Sequence, residues 1–198
     1  MSTMTLLLLS AALAAPPGYK VTKTTNDCEL MLGPAEADGV VPMRAECHWP
    51  EIPPDAFHAA VGNFAIHGEL WSTVPVCEVV RTEGGRTLTH QVHQSNGISD
   101  RELMLWLETV EVEGGYRHQW TRAVDEPLEP AKGNVAAARD DGYCEGVAHP
   151  DGGTQVNYQL SYDPGGKVPG FLVRWFQTSG LAGIMEDLRT SLGERLPE

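Results

Sequence analysis

The chain has 198 residues, 41% of them apolar, and five tryptophans, which suits one folded domain and excludes a disordered one. Fourteen Lys and Arg against 27 Asp and Glu give a formal net charge of −13, which excludes the basic footprint of a nucleic-acid binder and opposes electrostatic docking on anionic membranes. The 21 glycines and 14 prolines show no period, so collagen-like and repeat architectures are excluded too.

Residues 1–15 carry no charged side chain. They hold an apolar block, Leu6–Leu9 then Ala11–Ala15, and Ala12-Leu13-Ala14 is a small-x-small cleavage site. This is the pattern of a secretory signal peptide cut near Ala14, and the block is too short to span a bilayer. The expectation is an exported protein, secreted or periplasmic, with residues 16–198 as its single domain. The first cysteine, Cys28, lies away from the cleavage site, so no lipoprotein anchor is expected.

Export makes disulfides possible. Residues 20–32 and 40–49 read as strands around the turn-rich Gly33-Pro34-Ala35-Glu36-Ala37-Asp38-Gly39. A hairpin folded about residues 37 and 38 sets Cys28 directly opposite Cys47, at cross-strand bonding distance. That pair is the expected disulfide, conditional on the register. Cys77 and Cys144 have no such geometry and stand open between buried free thiols and a second bridge. There is no Cys-x-x-Cys and no Cys/His zinc spacing, so neither a metal nor a cofactor is expected.

Trp49-Pro50-Glu51-Ile52-Pro53-Pro54 is a stiff turn. From Asp55 to about Trp71, Phe57, Val61, Phe64, Ala65, Leu70 and Trp71 recur at helical spacing, and Gly62 and Gly68 divide the stretch into two short helices. Strand patterns follow over 76–82, 86–94, 101–112, 116–124, 135–148 and 155–163. Gly84-Gly85, Ser95-Asn96-Gly97, Gly114-Gly115, the Pro127 to Pro130 loop and Asp151-Gly152-Gly153 separate them. Strands in this order without crossover helices predict one large antiparallel sheet. Pro169 then opens a helix. Val173, Phe176, Gly180, Ile184, Leu188 and Leu192 form its stripe, and Phe171, Trp175, Leu181 and Met185 add apolar surface elsewhere, as in a largely buried helix. Gly180 and Gly183 in its interior point to a kink, a tight helix–sheet contact or a helix that leaves room beneath it.

The run from Gly153 to Val173 combines a Thr154-led aromatic strand, an Asp163-Pro164-Gly165-Gly166 turn and a Val168-Pro169 step into the last helix. It resembles the closing signature of START lipid-transfer domains. Ile98-Ser99-Asp100-Arg101-Glu102 is similar to that family's Ser-x-Arg-acid step into a long central strand, and the order of elements from about Tyr19 to Leu192 also fits. The resemblance implies an α+β helix-grip fold: a curved antiparallel sheet wrapped around a long C-terminal helix. It also implies an apolar tunnel between the two that holds one lipid-like molecule. Some sterol-type members place a buried acid/base pair at the tunnel end; the matching positions here are Leu88 and Leu107, which departs from that pattern. His90 and His118 are the alternative polar anchors.

A two-residue Gly114-Gly115 turn would set Leu107 opposite Arg122, Thr109 opposite Trp120 and Glu111 opposite His118. One face then carries Leu103, Leu105, Leu107, Thr109, His118 and Trp120. This is the expected inner face, because its leucines form an unbroken row. The opposite face carries Met104, Trp106, Glu108 and Val110, and a one-residue slip would invert the choice. The expected ligand-binding residues are Leu103, Leu105, Leu107, His118, Trp120, Tyr158, Leu160, Phe176, Ile184 and Leu188.

No catalytic constellation is expected. His90 and His93 fall on opposite faces of a strand. Asp140-Asp141 and Asp125-Glu126 read as solvated, and Arg101 reads as an ion-pair partner of Asp100 or Glu102. No nucleophile elbow, zinc-protease or phosphate-loop motif occurs. Three readings of function remain. The first is an exported, monomeric carrier or sensor of a hydrophobic ligand, with at most transient membrane contact. The second is a polyketide-cyclase or hydrolase-like enzyme on the same fold. The third is a non-catalytic envelope protein whose tunnel is filled, for which a cavity well below ~300 Å³ would speak.

Overall fold

The computed structural model describes residues 15–25, 27–94 and 97–196. The expected leader falls, Ala15 apart, outside these residues, as do Ser95 and Asn96 of one expected turn. Among the described residues the strands are β1 (Lys20–Thr24), β2 (Cys28–Leu32), β3 (Met43–Trp49), β4 (Val76–Glu83), β5 (Arg86–His93), β6 (Arg101–Val112), β7 (Gly115–Arg122), β8 (Val135–Ala136), β9 (Arg139–Ala148) and β10 (Thr154–Asp163). They join one sheet in the order β1-β2-β3-β10-β9-β7-β6-β5-β4, antiparallel throughout that path. The short β8 adds to β6 in parallel.

Two expected strands are broken. Residues 20–32 form two strands that pair with each other, with Lys20 opposite Leu32 and Thr24 opposite Glu29. Residues 135–148 divide into β8 and β9. Cys28 does lie opposite Cys47 in the β2–β3 ladder, and the two form a disulfide with Cα atoms 4.1 Å apart. Cys77 and Cys144 are free thiols.

The β6–β7 hairpin turns at Glu113-Gly114, one residue earlier than expected. Leu105 therefore faces Arg122, Leu107 faces Trp120 and Thr109 faces His118. The pairing has moved by two residues along the strand, so every side chain keeps its face. Leu103, Leu105 and Leu107 point inward and are buried. On the outer face Trp106 lies beneath the Arg81 and Arg86 guanidinium groups, 5.0 and 4.8 Å from its ring.

The helices cover the concave face. Pro54 starts α1 (Pro54–Val61), where its missing N–H leaves no hydrogen bond unmade. A 3-10 turn (Phe64–Ile66) leads into α2 (His67–Leu70). The terminal helix comprises α3 (Gly170–Trp175), a π-helical turn (Phe176–Gly180) and α4 (Leu181–Gly193). Leu181, Ile184, Met185, Leu188 and Leu192 pack the main core with Leu30, Met43, Trp49 and Phe57. Of the two interior glycines, Gly180 has the close contact: a Cβ there would stand 2.8 Å from the Phe176 ring. Nothing lies close to Gly183.

Arg101 makes no ion pair with Asp100 or Glu102. Its guanidinium donates to the carbonyls of Ser99, Pro164 (2.8 Å) and Gly165 (3.3 Å), tying the start of β6 to the turn before the terminal helix. Glu102 instead accepts from Asn134 (2.6 Å) and the Ala131 amide (2.8 Å) and meets His90.

Candidate functional site

The sheet and the terminal helix do not meet flush. Leu105 and Leu107 of β6, Trp120 of β7, Tyr158, Leu160 and Tyr162 of β10, and Phe176 and Ile184 of the terminal helix wall a recess between the two layers. Trp71, Val74 and His67 close it on the side of α2. The recess is partly open to solvent and has a cavity volume of about 100 Å³. That is below the roughly 300–1,000 Å³ of ordinary ligand pockets. Tyr162 and Phe176, their rings tilted with centroids 5.4 Å apart, border both this recess and a second, smaller apolar recess beneath α3 that is bordered also by Val168, Leu172 and Val173.

Small residues on β9 let large rings pack close against the sheet beside the recess. The inward row of β9 reads Asp140, Gly142, Cys144, Gly146, opposite Tyr162, Leu160, Tyr158 and Val156. The Phe57 ring occupies the room a side chain on Gly146 would need, and a Cβ on Gly142 would stand 2.6 Å from the Trp120 ring. With its ring against bare backbone, Trp120 donates from Nε1 to Asp140 Oδ1 at 2.6 Å.

Asp140 is therefore no solvated acid. It is 3% exposed and borders the recess. Burial pushes its carboxyl up to about 7, opposed by the Trp120 N–H and reinforced by the charge of Asp141. Asp141 is turned the other way, toward Arg139 (2.7 Å) and Thr121 (2.8 Å). His93 lies 3.6 Å from Asp140 Oδ2, and burial pushes its imidazole down to about 4. His67 is likewise held at about 4 by burial, although its Nε2 donates to the Val61 carbonyl at 2.8 Å.

Of the residues expected to touch a ligand, Leu105, Leu107, Trp120, Tyr158, Leu160, Phe176 and Ile184 border the recess. Leu103 packs beside Leu105, Leu107 and Ala137, and Leu188 sits in the main core. His118 lies under α1, where Gly62 allows it a close approach. Its Nδ1 meets Thr109 Oγ1 at 2.9 Å and its Nε2 meets His58 Nδ1 at 3.3 Å. His90, the other expected anchor, is on the outer face, 3.1 Å from Glu102. Leu88 is also outside, with Met104 and Ala123, so it cannot form a tunnel-end pair with Leu107.

Sequence reasoning missed Gln91, His93 and Asp140. A usable signal for Asp140 existed: it alternates in phase with Gly142, Cys144 and Gly146, a small-residue row unlike a solvated strand. Among the described residues no three His, Cys, Asp or Glu side chains could hold a metal ion.

No protein-family model matches the chain, and no curated protein matches it in sequence. Solved structures do match. A STAR-related lipid transfer protein fragment from Xanthomonas axonopodis superposes with a TM-score of 0.76 at 19% identity, over 88% of this chain and 98% of that one. Human StAR-related lipid transfer protein 5 gives 0.78 at 16% identity, over 90% and 88%. The chain has the START-like helix-grip fold. The Zhui aromatase/cyclase from Streptomyces sp. R1128 shares the architecture more loosely, with a TM-score of 0.57 at 12% identity over 77% of this chain and 93% of that one. Within the helix-grip frame the recess lies between the gripping sheet and the gripped helix, and Asp140 and His93 mark its polar end.

Proposed function

We propose that this protein binds a small hydrophobic molecule in the recess between the sheet and the terminal helix, as an exported carrier or sensor without catalytic activity. The observation that carries the reading is the recess itself: a largely apolar, partly open hollow between the sheet and the terminal helix of a START-like fold. An apolar guest there gains roughly 25 cal/mol for each Å² it removes from water. The two most similar solved structures described above are named for lipid transfer, which supports the same reading. The apolar leader pattern and the Cys28–Cys47 disulfide support export.

A guest of lipid size needs more than the present room, and Tyr162 and Phe176 border both recesses. The volume of about 100 Å³ favours a second reading, an envelope protein whose hollow stays filled by its own side chains. Native mass spectrometry separates the two. Protein isolated from its host is expected to carry one small apolar molecule per chain, and the delipidated protein to take one up again. A chain that is empty on isolation and takes up nothing from a broad lipid panel would falsify the binding reading and leave the filled one.

A further inference from the structure

The polar end of the recess has an unfinished hydrogen-bond chain. On β5, Gln91 Nε2 donates to Thr89 Oγ1 at 3.1 Å, which leaves Gln91 Oε1 to accept from His93 Nε2 at 2.9 Å. A carboxamide oxygen only accepts, so Nε2 carries a proton, and in the neutral imidazole that burial favours Nδ1 presents a lone pair. That lone pair faces Asp140 Oδ2, 3.6 Å away. The other carboxylate oxygen is already taken by Trp120 Nε1–H. Two acceptors thus confront each other across a gap too wide for a direct hydrogen bond. Both residues border the recess, and none of the described side chains that border it is a Lys or Arg. A buried carboxylate without a cation is unfavourable, and a ligand that brought one would relieve it.

We propose that this end of the recess binds the protonated amine of an amphipathic ligand, whose N–H groups donate to Asp140 Oδ2 and His93 Nδ1 while its apolar tail lies along Leu105, Leu107 and Leu160. This rests on the ligand-binding reading above. A hydroxyl has a single proton and serves one of the two acceptors; an ammonium serves both and neutralises the carboxylate. A carboxylate or phosphate head adds a third acceptor and is repelled by the Asp140 charge. The net charge of −13 also concentrates cations, not anions, around the molecule.

The pH dependence follows from the groups facing Asp140. His93 on β5 and His67 on α2 stay neutral, because burial holds each at about 4. Tyr158 and Tyr162 on β10 stay protonated, raised by burial and by the Asp140 charge, with Arg101 acting the other way on Tyr162. Asp140, at about 7, is the group that titrates. An ammonium requires its ionised form, so amine binding weakens as pH falls through 7.

Decylamine, decanol and decanoate share one tail and differ in the head. Their binding to the delipidated full chain is measured by calorimetry at pH 8 and pH 6, where decylamine is protonated throughout. At pH 8 decylamine is expected to bind at least about tenfold more tightly than the other two. Between pH 8 and pH 6 it loses about tenfold, the fall in the ionised fraction of a group titrating near 7, while decanol is unchanged. Asp140→Asn loses both the preference for the amine over decanol and its pH dependence; His93→Leu lowers the preference but keeps the pH dependence. Equal binding of the three probes, tightest binding of decanoate, or an Asp140→Asn protein that still prefers the amine overturns the proposal and leaves the hydrophobic-ligand reading standing. Failure of all three probes to bind a folded protein refutes that reading, and the amine proposal with it.

Discussion

Asp140→Asn is expected to stabilise the protein at alkaline pH. The carboxyl is moved from 3.8 to about 7 by burial, with the Trp120 N–H opposing and Asp141 adding to the shift. Moving the carboxyl from 3.8 to about 7 corresponds to ~4 kcal/mol, at about 1.36 kcal/mol for each tenfold change in proton affinity. The folded state holds this proton more tightly than the unfolded chain, so stability is highest below pH 3.8 and is lost as pH rises through 7. Above pH 8 the native protein therefore carries the whole penalty, and the neutral isostere carries none of it. The two proteins are compared by urea unfolding at pH 8 and pH 5. The variant should be more stable by ~4 kcal/mol at pH 8 and by less than ~2 kcal/mol at pH 5, with unchanged dependence on urea. Taking the difference between variants cancels every other titrating group. A variant no more stable than the native protein at pH 8, or a gap that does not widen with pH, would show that Asp140 is hydrated or paired and that the recess has no dry acidic end.

Other outcomes follow from the same structure. In the Asp140→Asn background, melting temperature should fall as pH drops from 6.5 toward 4, because burial holds His67, His93 and His118 at about 4 and only the unfolded chain takes up protons there; a flat profile over that range contradicts their burial. Replacing both Cys28 and Cys47 by Ser opens a loop of 19 residues' separation and should lower stability by about 3 kcal/mol in chemical denaturation. In the native protein Cys77 and Cys144 should resist thiol reagents, since burial raises both thiols, Cys77 to about 11, and both should react in denaturant. Gly146→Ala should cost about 1–3 kcal/mol, because the new methyl group needs the space of the Phe57 ring. Uptake of lipid from vesicles should show no preference for anionic over neutral composition, and a salt-sensitive anionic preference would contradict the acidic surface.

Much of the architecture was legible along the chain because it depends on period and spacing. The Cys28–Cys47 pair followed from a hairpin axis, and the observed register agrees. The leucine row of β6 was assigned to the inner face from a turn placed one residue late; the error moved the pairing by two, and a period of two forgives an even slip. The apolar stripe of the terminal helix was likewise read from three- and four-residue steps, and its Ile184, Leu188 and Leu192 are buried; of the apolar residues read on its other faces, Leu181 and Met185 are buried but Phe171 and Trp175 are exposed. The π-helical turn at Phe176–Gly180 was not readable, since one extra residue in a turn changes no pattern.

The polar end of the recess came only from the folded chain. On β5 both faces are covered, so alternation did not say which one is inside: Leu88 packs outward with Met104 and Ala123, while Thr89 and Gln91 are buried inward. Asp140 looked like half of an acidic surface pair until β9 turned it under Trp120 and sent Asp141 to Arg139. The volume of the hollow was beyond reach for the same reason. Hydropathy tells which side chains leave water, with a resolution of one strand face or one helix stripe. Whether two apolar layers close on each other or leave a gap is decided by contacts of a few ångströms, here between Trp120 and Gly142 and between Phe57 and Gly146, brought together by strands and helices far apart in the chain.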